Sequence, residues 1–389
     1  MATQTIAADA LVHHFAATRA RTLVLAEPLS DADATGQSMP DASPAKWHLA
    51  HTTWFFETFV LRDHVPGYHV FDPAYHYLFN SYYDGEGDRH ARPQRGMLTR
   101  PSLDDIRAYR AHVDAAVLAA FPDAARNLIE LGCEHEAQHQ ELLLTDILHL
   151  FAQNPLAPAY RAEAGQSISA VAEPLNWIDG PSGVVEVGHD NASFAFDCEG
   201  PRHKTYLAPH VLAHRLVTNA EWEAFIEDGG YSRPELWLSE GWAWARGESI
   251  SSPLYWRDDN AFGLNGLHSR KPAEPVTHVS HYEADAYARW AGARLPTELE
   301  WEAAASDPRL SQMFGSLWQW TGSAYLPYPG YRPAPGAVGE YNGKFMSGQM
   351  VLRGSSFATP LGTSRLTTRN FFPPTARWQF SGLRLAKDV

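Results

Sequence analysis

The chain has 389 residues, of which 44% are hydrophobic and 12% aromatic, a composition typical of a globular protein with a large core and not of a disordered one. Its 31 basic and 45 acidic residues give a net charge of −14, which argues against nonspecific nucleic-acid binding and against anionic membrane surfaces. With two cysteines, no secretory signal pattern and no apolar run of about 18 residues, we expect a cytoplasmic protein without a disulfide framework.

The first part of the chain is predicted to be helical. Apolar residues recur at helical spacing over residues 5–30, and residues 30–44 read as a connection. A second helix is predicted from Ser43 and Pro44, an N-cap followed by a first-turn proline, to about residue 62. Two further helices are predicted over residues 101–121 and 123–151. Four helices with one long excursion between the second and the third indicate a helical bundle.

Residues 64–101, between the second and third helices, hold no helical period and are predicted to form a long loop. Loops of this length inside a compact domain are usually functional or disordered, and the many aromatic residues argue against disorder. The loop contains the tyrosine pair Tyr82 and Tyr83 and a group of arginines that includes Arg92 and Arg95. Because a guanidinium suits a carboxylate ligand, the loop is a candidate binding segment.

After a proline-containing linker at residues 153–174, the chain changes to short strands, turns and scattered aromatic residues. Residues 184–188 alternate as a strand does, and residues 276–292 are predicted to contain the end of a strand and a short helix. Residues 317–321 and 350–354 are predicted core segments. The second half is therefore predicted to be α+β with much irregular structure.

The fourth predicted helix carries two histidines, His135 and His139, which lie four residues apart and therefore project from one face. Two imidazoles at this spacing can bind one metal ion, although paired histidines on a half-buried helix can also be satisfied by hydrogen bonds alone. A third ligand is available on the second helix, where His51 is favoured over His48. Three histidines leave open coordination positions, which suit Fe(II) and dioxygen as well as zinc and water.

Residues 135–139 (HEAQH) satisfy the His-Glu-x-x-His pattern of zinc proteases, in which Glu136 would be the general base. The extended form of that pattern requires a glycine and a third histidine where this chain has Leu142 and Thr145. A helical bundle is also an unusual setting for a protease. Glu141 points to another side of the helix and is a candidate structural carboxylate.

Two motifs in the first half, residues 47–57 (WHLAHTTWFFE) and 135–141 (HEAQHQE), resemble the ergothioneine-biosynthesis sulfoxide synthases. In these non-heme iron enzymes a DinB-like four-helix bundle precedes a C-type-lectin-like formylglycine-generating-enzyme (sulfatase-modifying-factor) domain. The resemblance implies an α+β chain with the bundle at residues 1–155, a linker at residues 156–174 and the second domain at residues 175–389. The motifs of the second half that carry the resemblance are residues 275–280 (PVTHVS), 294–302 (RLPTELEWE), 318–321 (WQWT), 351–356 (VLRGSS) and 380–384 (FSGLR).

The resemblance also implies a metal and a first substrate. His51, His135 and His139 match the family's iron triad, and dioxygen is the co-substrate of the reaction that the family performs. Gln138 matches the position that hydrogen-bonds the imidazole of hercynine, the trimethylated histidine substrate. Asn370 matches a second hercynine contact. We therefore expect Fe(II) as the cofactor and hercynine as one substrate.

Further positions match the family's binding site for the second substrate. Arg92 and Arg95 match an arginine pair that holds the carboxylate of the sulfur donor. Tyr82 and Tyr83 resemble the tyrosine pair of the branch that uses free cysteine, in which one hydroxyl supplies a proton or an electron. Phe371 follows the predicted hercynine contact directly and is assigned to the same substrate site.

Two positions depart from the family's pattern. Ser347 stands where this branch commonly has a cysteine, and residues 354–357 (GSSF) stand where it has Gly-Gly-Ser-Cys. Both changes remove a thiol, which would suit the selenoneine-synthase subgroup because stray thiols exchange with a selenol donor. We therefore favour a selenium-bearing sugar as the donor, with cysteine or γ-glutamylcysteine as the alternative.

Two other classes of function remain open from the sequence. One is a zinc hydrolase built on the His-Glu-x-x-His pattern, and the other is a non-catalytic, metal-stabilised binding protein of the DinB type. For the favoured function the expected partners are small molecules, hercynine and a selenosugar or thiol donor, and neither nucleic acid nor a membrane is expected to bind.

Overall fold

The computed structural model describes residues 8–162, 170–171, 173–190 and 193–389. Its first part is a bundle of helices, which confirms the predicted fold of this region. The helices are α1 (Ala8–Ala26), α2 (Asp31–Thr35), α3 (Ala45–Phe56), α4 (Pro73–Phe79), α5 (Leu103–Ala120) and α6 (Arg126–Ala152). Helix α3 packs against α5 and α6, and α1 packs against α6. Helices that pack in this way bury a common core between them.

Helix α3 is buried along its whole length because it lies in the centre of this bundle. Trp54 and Phe55 are among the largest fully buried side chains. The chain continues from α3 into a π-helical turn, Glu57–Arg62. There the buried carboxylate of Glu57 accepts hydrogen bonds from the hydroxyls of Tyr68 (2.8 Å) and Tyr109 (2.6 Å). These contacts satisfy the buried charge and fix the helix that carries His51.

The interval before α5 is more ordered than the sequence predicts. Residues 64–101 contain α4 and 3₁₀ turns at Asp84–Glu86 and Arg92–Met97, so the prediction of an unbroken loop is wrong. Asp72 caps α4 by accepting a hydrogen bond from the backbone N–H of Ala74 at 2.9 Å, and a proline occupies the first turn. Seven residues are too few to show a helical period, so only this cap could have revealed the helix.

Two other boundaries differ from the prediction. The first helix ends at Ala26 rather than near residue 30, and α2 lies within the predicted connection. Ser30 and Asp33 form a capping box that starts α2. Residues 5–7 of the predicted first helix, and residues 163–169 and 172 of the predicted linker, lie outside the described residues.

The second part of the chain is α+β, as predicted, and its strands are short. They are β1 (Trp177–Asp179), β2 (Gly183–Val187), β3 (His203–Leu207), β4 (His210–Ala213), β5 (Trp256–Arg257), β6 (Asn260–Gly263), β7 (Gly266–Ser269), β8 (Trp318–Ala324), β9 (Met350–Gly354), β10 (Asn370–Phe372), β11 (Ser381–Leu383) and β12 (Ala386–Asp388). The helices are α7 (Asn219–Glu227), α8 (Ser239–Gly247), α9 (His281–Trp290) and α10 (Glu298–Ala304). No helix among the described residues is both long and apolar enough to cross a membrane.

Small sheets hold this second part together. One sheet has the order β10-β9-β8-β11, in which β11 runs parallel to β8 and the other neighbours are antiparallel. Another has the order β1-β4-β12, so the last strand of the chain pairs beside the first strands of this part. This pairing ties the end of the chain to its middle. In the first sheet, β9 holds β10, which carries Asn370 and Phe371.

The two parts of the chain meet along α6. The carboxylate of Glu141 accepts a hydrogen bond from Trp318 Nε1 at 2.8 Å, and the Arg365 guanidinium lies 2.9 Å from Glu134. The ring of His135 lies against Tyr341, with 5.4 Å between the ring centroids. One cluster of buried apolar residues also runs through both parts. The histidine face of α6 therefore lies at the boundary between the bundle and the second part.

Candidate metal centre

Three buried imidazoles converge from two helices. His51 on α3 and His135 and His139 on α6 each offer one ligand nitrogen, and these nitrogens lie within 4.8 Å of one another. Among the described atoms, His51 Nε2 and both ring nitrogens of His135 are buried without a hydrogen-bond partner. Buried polar atoms are normally satisfied, so this set of unpartnered nitrogens fits a metal ion. The helical spacing of the pair on α6 and the choice of His51 over His48 therefore agree with this geometry.

The His51 ring is held in one orientation by its surroundings. Its Nδ1 lies 2.7 Å from the carbonyl oxygen of Phe79, the last residue of α4. Trp47 stacks on one side at 4.6 Å and Trp54 on the other at 5.7 Å between ring centroids, each 13° from parallel. Because the carbonyl can only accept, Nδ1 carries the proton and Nε2 keeps a free lone pair. The ring is therefore prepared to bind a metal through Nε2.

His139 is held by a side chain and not by a carbonyl. Its Nδ1 lies 2.8 Å from Nδ1 of His48, and His48 Nε2 lies 3.0 Å from Oδ2 of Asp146. His48 is therefore outside the converging group and supports one of its members. The aspartate was not among the predicted site residues, and it lies seven positions after His139 on the same helix.

Burial shifts the protonation of the three imidazoles in the direction that metal binding requires. Burial lowers the pKa of His135 to about 3. Burial and the nearby His135 ring lower the pKa of His51 and of His139 well below the ordinary value. The three rings are therefore neutral at physiological pH, the form in which imidazole binds a metal.

Glu136 faces away from these histidines and is fully buried against two arginines. Arg19 lies 2.8 Å from its carboxylate, Arg110 forms a second ion pair with it, and the Thr22 hydroxyl donates to it. Burial alone would raise the pKa of Glu136, but the charges of Arg110 and Arg19 outweigh burial and lower it. A carboxylate held in this way is not available as the general base of a hydrolase. Glu141 likewise belongs to the contact with the second part of the chain.

Gln138 is exposed, whereas its neighbours Ala137 and His139 are buried, so its amide faces the open side of α6. The hydroxyl of Tyr341, from the second part of the chain, donates a hydrogen bond to its Oε1. The Tyr341 ring also stacks on Phe196 at 5.4 Å between centroids. Tyr341 was not predicted as a site residue, because it lies in an irregular segment with no motif of its own.

One aromatic ring separates each of the two predicted tyrosines from the converging histidines. The rings of Tyr82 and Tyr83 are 4.8 Å apart, and Tyr83 is fully buried against Trp54 at 5.5 Å. Tyr82 lies 5.9 Å from Tyr341, the tyrosine that contacts His135. Burial raises the pKa of Tyr82, which keeps its hydroxyl protonated at neutral pH.

The two predicted arginines lie in different surroundings. Arg95 is buried, its guanidinium lies 3.3 Å above the centroid of the Trp47 ring, and it donates to the hydroxyls of Ser43 (2.9 Å) and Ser81 (3.2 Å). Burial and the charge of Arg92 lower the pKa of Arg95 well below its ordinary value. Arg92 is exposed and donates to a backbone carbonyl. Of these two arginines, Arg95 is the one that offers a buried cation, and no carboxylate among the described residues forms an ion pair with it.

Asn370 and Phe371 begin β10 and are half-buried. Asn370 Oδ1 accepts a hydrogen bond from the backbone N–H of Phe371 at 2.9 Å. The Phe371 ring stacks on Phe345 at 5.9 Å, and Phe345 contacts Tyr82 at 5.3 Å between centroids. A row of aromatic rings therefore leads from β10 to the tyrosine pair beside the histidines.

Comparison with known proteins matches each of the two parts of the chain to a known family. Residues 14–153 match the DinB superfamily, and residues 176–311 and 308–389 match the sulfatase-modifying factor enzyme 1-like domain. The chain is 33% identical over 445 aligned positions to hercynine oxygenase of Mycolicibacterium smegmatis, an alignment that covers 99% of this chain and 100% of that one. It is 32% identical to hercynine oxygenase of Mycolicibacterium thermoresistibile, covering 95% and 93%. Formylglycine-generating enzyme of Thermomonospora curvata is 33% identical over 146 positions, 32% of this chain and 46% of that enzyme.

Proposed function

The chain belongs to the hercynine oxygenase family, and we propose that it is an Fe(II)- and dioxygen-dependent enzyme that forms a carbon–chalcogen bond at the imidazole ring of hercynine. The observation that carries this proposal is the buried group of His51, His135 and His139, whose ligand nitrogens lie within 4.8 Å of one another. These three imidazoles would hold the iron, and the iron would supply the activation of dioxygen beside the sulfur or selenium of the donor. The surrounding residues then have to bind, orient and protonate the substrates.

We assign the binding of hercynine to residues of α6 and β10. Gln138 presents its amide on the open side of α6, and we assign to it a hydrogen bond with the hercynine imidazole. Asn370 is assigned a second contact, and Phe371 belongs to an aromatic row that suits the quaternary ammonium group. The carbon that reacts is the imidazole carbon between the two ring nitrogens. The main task of these residues is to hold this carbon against the sulfur or selenium of the donor.

The tyrosine pair is assigned the proton transfer. A phenol with a raised pKa keeps its proton until a strongly basic oxygen develops nearby, and burial raises the pKa of Tyr82. Tyr82 is also the member of the pair that contacts Tyr341, which packs on His135. We therefore assign the proton donor to Tyr82 and the packing of its ring to Tyr83.

Two observations bear on the donor, and they favour different compounds. The two cysteines of the chain, Cys133 and Cys198, are both buried, and Phe357 packs its ring on Phe380 at 4.6 Å where a family thiol would stand. The absence of a thiol at Ser347 and at Phe357 favours a selenosugar, because a selenol exchanges readily with exposed thiols. The buried cation of Arg95 favours a donor with a carboxylate, such as cysteine or γ-glutamylcysteine. We propose the selenosugar first and the thiol donor second.

One experiment tests both the reaction and the donor. The full-length protein, loaded with Fe(II) without oxygen, is mixed with hercynine and oxygen and with one donor at a time: cysteine, γ-glutamylcysteine, a thiosugar or a selenosugar. We expect oxygen uptake that depends on hercynine and, with the selenosugar, a carbon–selenium adduct by mass spectrometry. Product from cysteine or γ-glutamylcysteine alone would make the selenosugar assignment wrong. No uptake with any donor would contradict the proposed reaction.

The same protein preparation separates the competing classes of function. A zinc hydrolase predicts zinc without iron by elemental analysis and an activity indifferent to oxygen, and the burial of Glu136 between two arginines argues against it. A non-catalytic binding protein predicts that His51→Ala leaves hercynine affinity intact and that no oxygen is consumed. The proposed enzyme predicts iron, oxygen consumption and their loss in His51→Ala. We also propose that it acts in the cytoplasm, where its unpaired cysteines stay reduced.

A further inference from the structure

His48 lies between a proposed metal ligand and a buried carboxylate. Its Nδ1 is 2.8 Å from His139 Nδ1, and its Nε2 is 3.0 Å from Asp146 Oδ2. All three side chains are buried, at 3% exposure for His48, 8% for His139 and 6% for Asp146. The same oxygen of Asp146 accepts a hydrogen bond from the backbone N–H of Ser43 at 2.8 Å. The aspartate is therefore fixed by the start of α3 as well as by the histidine that it contacts.

The chemistry of these contacts allows one arrangement of protons that is compatible with a metal. Asp146 is already accepting from Ser43, so as a carboxylate it accepts from His48 Nε2–H as well. A neutral His48 then has a lone pair on Nδ1, which accepts from Nδ1–H of His139. His139 in turn keeps its Nε2 lone pair free. If the proton between the two rings belonged to His48, a neutral His139 would carry its own proton on Nε2 and could not bind a metal through that atom.

We propose that His48 and Asp146 are positioning residues that hold His139 in the form whose Nε2 faces the metal. This inference rests on the proposed metal site. A metal-binding imidazole normally donates its other N–H to an oxygen or a carboxylate, which fixes the ring and makes it a better ligand. Here a second imidazole stands between the ligand and the carboxylate.

The three ligands are supported unequally. His51 donates to a backbone carbonyl at 2.7 Å, whereas both nitrogens of His135 have no partner among the described atoms. His139 alone is connected to a carboxylate, through His48. The pair is also connected to the proposed donor site, because Ser43, which donates to Asp146, accepts from Arg95 at 2.9 Å through its hydroxyl. His139, His48 and Asp146 together form a relay of hydrogen bonds. This relay joins the first turn of α3 to the metal-binding face of α6.

The test measures metal affinity directly and does not depend on turnover. Full-length wild-type protein and the variants His48→Phe and Asp146→Asn are titrated with Co(II), and separately with Fe(II) without oxygen, against a chelator of known affinity. His149→Phe is the matched control, since His149 lies on the same helix, is partly buried and has its hydrogen bond, at 2.7 Å, to Ser38 Oγ and not to His48 or His139. We expect about 10- to 100-fold weaker affinity for His48→Phe, a smaller loss for Asp146→Asn, and no change for the control. The visible absorption bands of bound Co(II) should shift in both relay variants.

The outcomes separate this inference from the function on which it rests. If the wild-type protein binds neither metal, the metal site itself is wrong. If the wild type binds and His48→Phe binds within about threefold with the same Co(II) spectrum, the relay is wrong and the site stands. Circular dichroism of the metal-free variants identifies a folding defect. Should His48→Phe fail to fold, Asp146→Asn, which keeps the size of the side chain and removes the carboxylate charge, decides: unchanged affinity and spectrum overturn the relay, and weaker affinity supports it.

Discussion

The hydroxyl of Tyr341 donates a hydrogen bond to Oε1 of Gln138, which lies 203 positions earlier in the chain. The two residues belong to different parts of the molecule, one to an irregular segment of the second part and the other to α6. Because the amide oxygen accepts from Tyr341, the N–H₂ group is the end of the amide that is left to donate to a ligand. A hercynine imidazole bound there would meet a hydrogen-bond donor in a fixed orientation.

This relationship predicts that Tyr341→Phe weakens hercynine binding. Without the hydroxyl the Gln138 amide is free to rotate, and a lost hydrogen bond of this kind costs about 1 kcal/mol, or roughly a fivefold change in affinity. Isothermal titration of the metal-loaded protein with hercynine in the absence of oxygen measures the effect. Tyr77→Phe is the control, because Tyr77 is 46% exposed on α4. Equal affinities for the two variants would show that the tyrosine does not orient the amide.

The parts of the site that the sequence predicts are those encoded by local spacing. His135 and His139 are recognisable because a helix places residues four apart on one face. His51 is recognisable only because a second helix supplies one more histidine at a suitable place. Tyr341 could not be found in this way. Its position depends on how the second part packs on α6, and no periodicity in its own segment indicates that packing.

The same physical limit explains the errors in the prediction of the fold. Helix α4 is too short for its apolar residues to show a period, although its capping residue Asp72 was visible. The sequence favours His51 over His48 as the third ligand, but the role of His48 as a support for His139 requires the position of Asp146. Contacts between ionisable groups on different helices are therefore the features that spacing alone does not predict.

Glu136→Gln is predicted to lower stability and to spare catalysis. The substitution leaves Arg19 and Arg110 buried beside a neutral amide, and removing one partner of a buried ion pair costs about 3 kcal/mol. Urea unfolding should show the loss, and the turnover number per folded, iron-loaded molecule should stay within about twofold of the wild type. A large fall in turnover with unchanged stability would mean that Glu136 acts in the reaction, as a hydrolase mechanism requires.

His281 is predicted to contribute to acid denaturation. Burial lowers the pKa of His281 to about 4 from 6.5, so the unfolded chain takes up a proton that the native protein excludes. The stability linked to this group is therefore fully present above pH 6.5 and is lost as the pH falls from 6.5 toward 4. Between pH 7 and 4.5 the loss is on the order of 2 kcal/mol.

Replacing this histidine should flatten the pH dependence. The variant His281→Gln should lose less unfolding free energy between pH 7 and pH 4.5 than the wild type, as measured by urea titration at each pH. The exposed His13 provides the control, and His13→Gln should follow the wild-type curve. Parallel curves for wild type and His281→Gln would assign the acid sensitivity to other groups.

Metal binding is predicted to stabilise the fold. A metal that binds only the native state adds RT ln(1 + [L]/Kd), about 2.7 kcal/mol when the free ion is at 100 times Kd. Scanning calorimetry should therefore show a higher melting temperature with Co(II) than after treatment with a chelator. In His139→Ala this difference should disappear, because two imidazoles remain of the three that converge within 4.8 Å. His149→Ala, on the same helix but outside the converging group, should keep the full difference. A metal-dependent shift that survives in His139→Ala would place the bound ion elsewhere in the molecule.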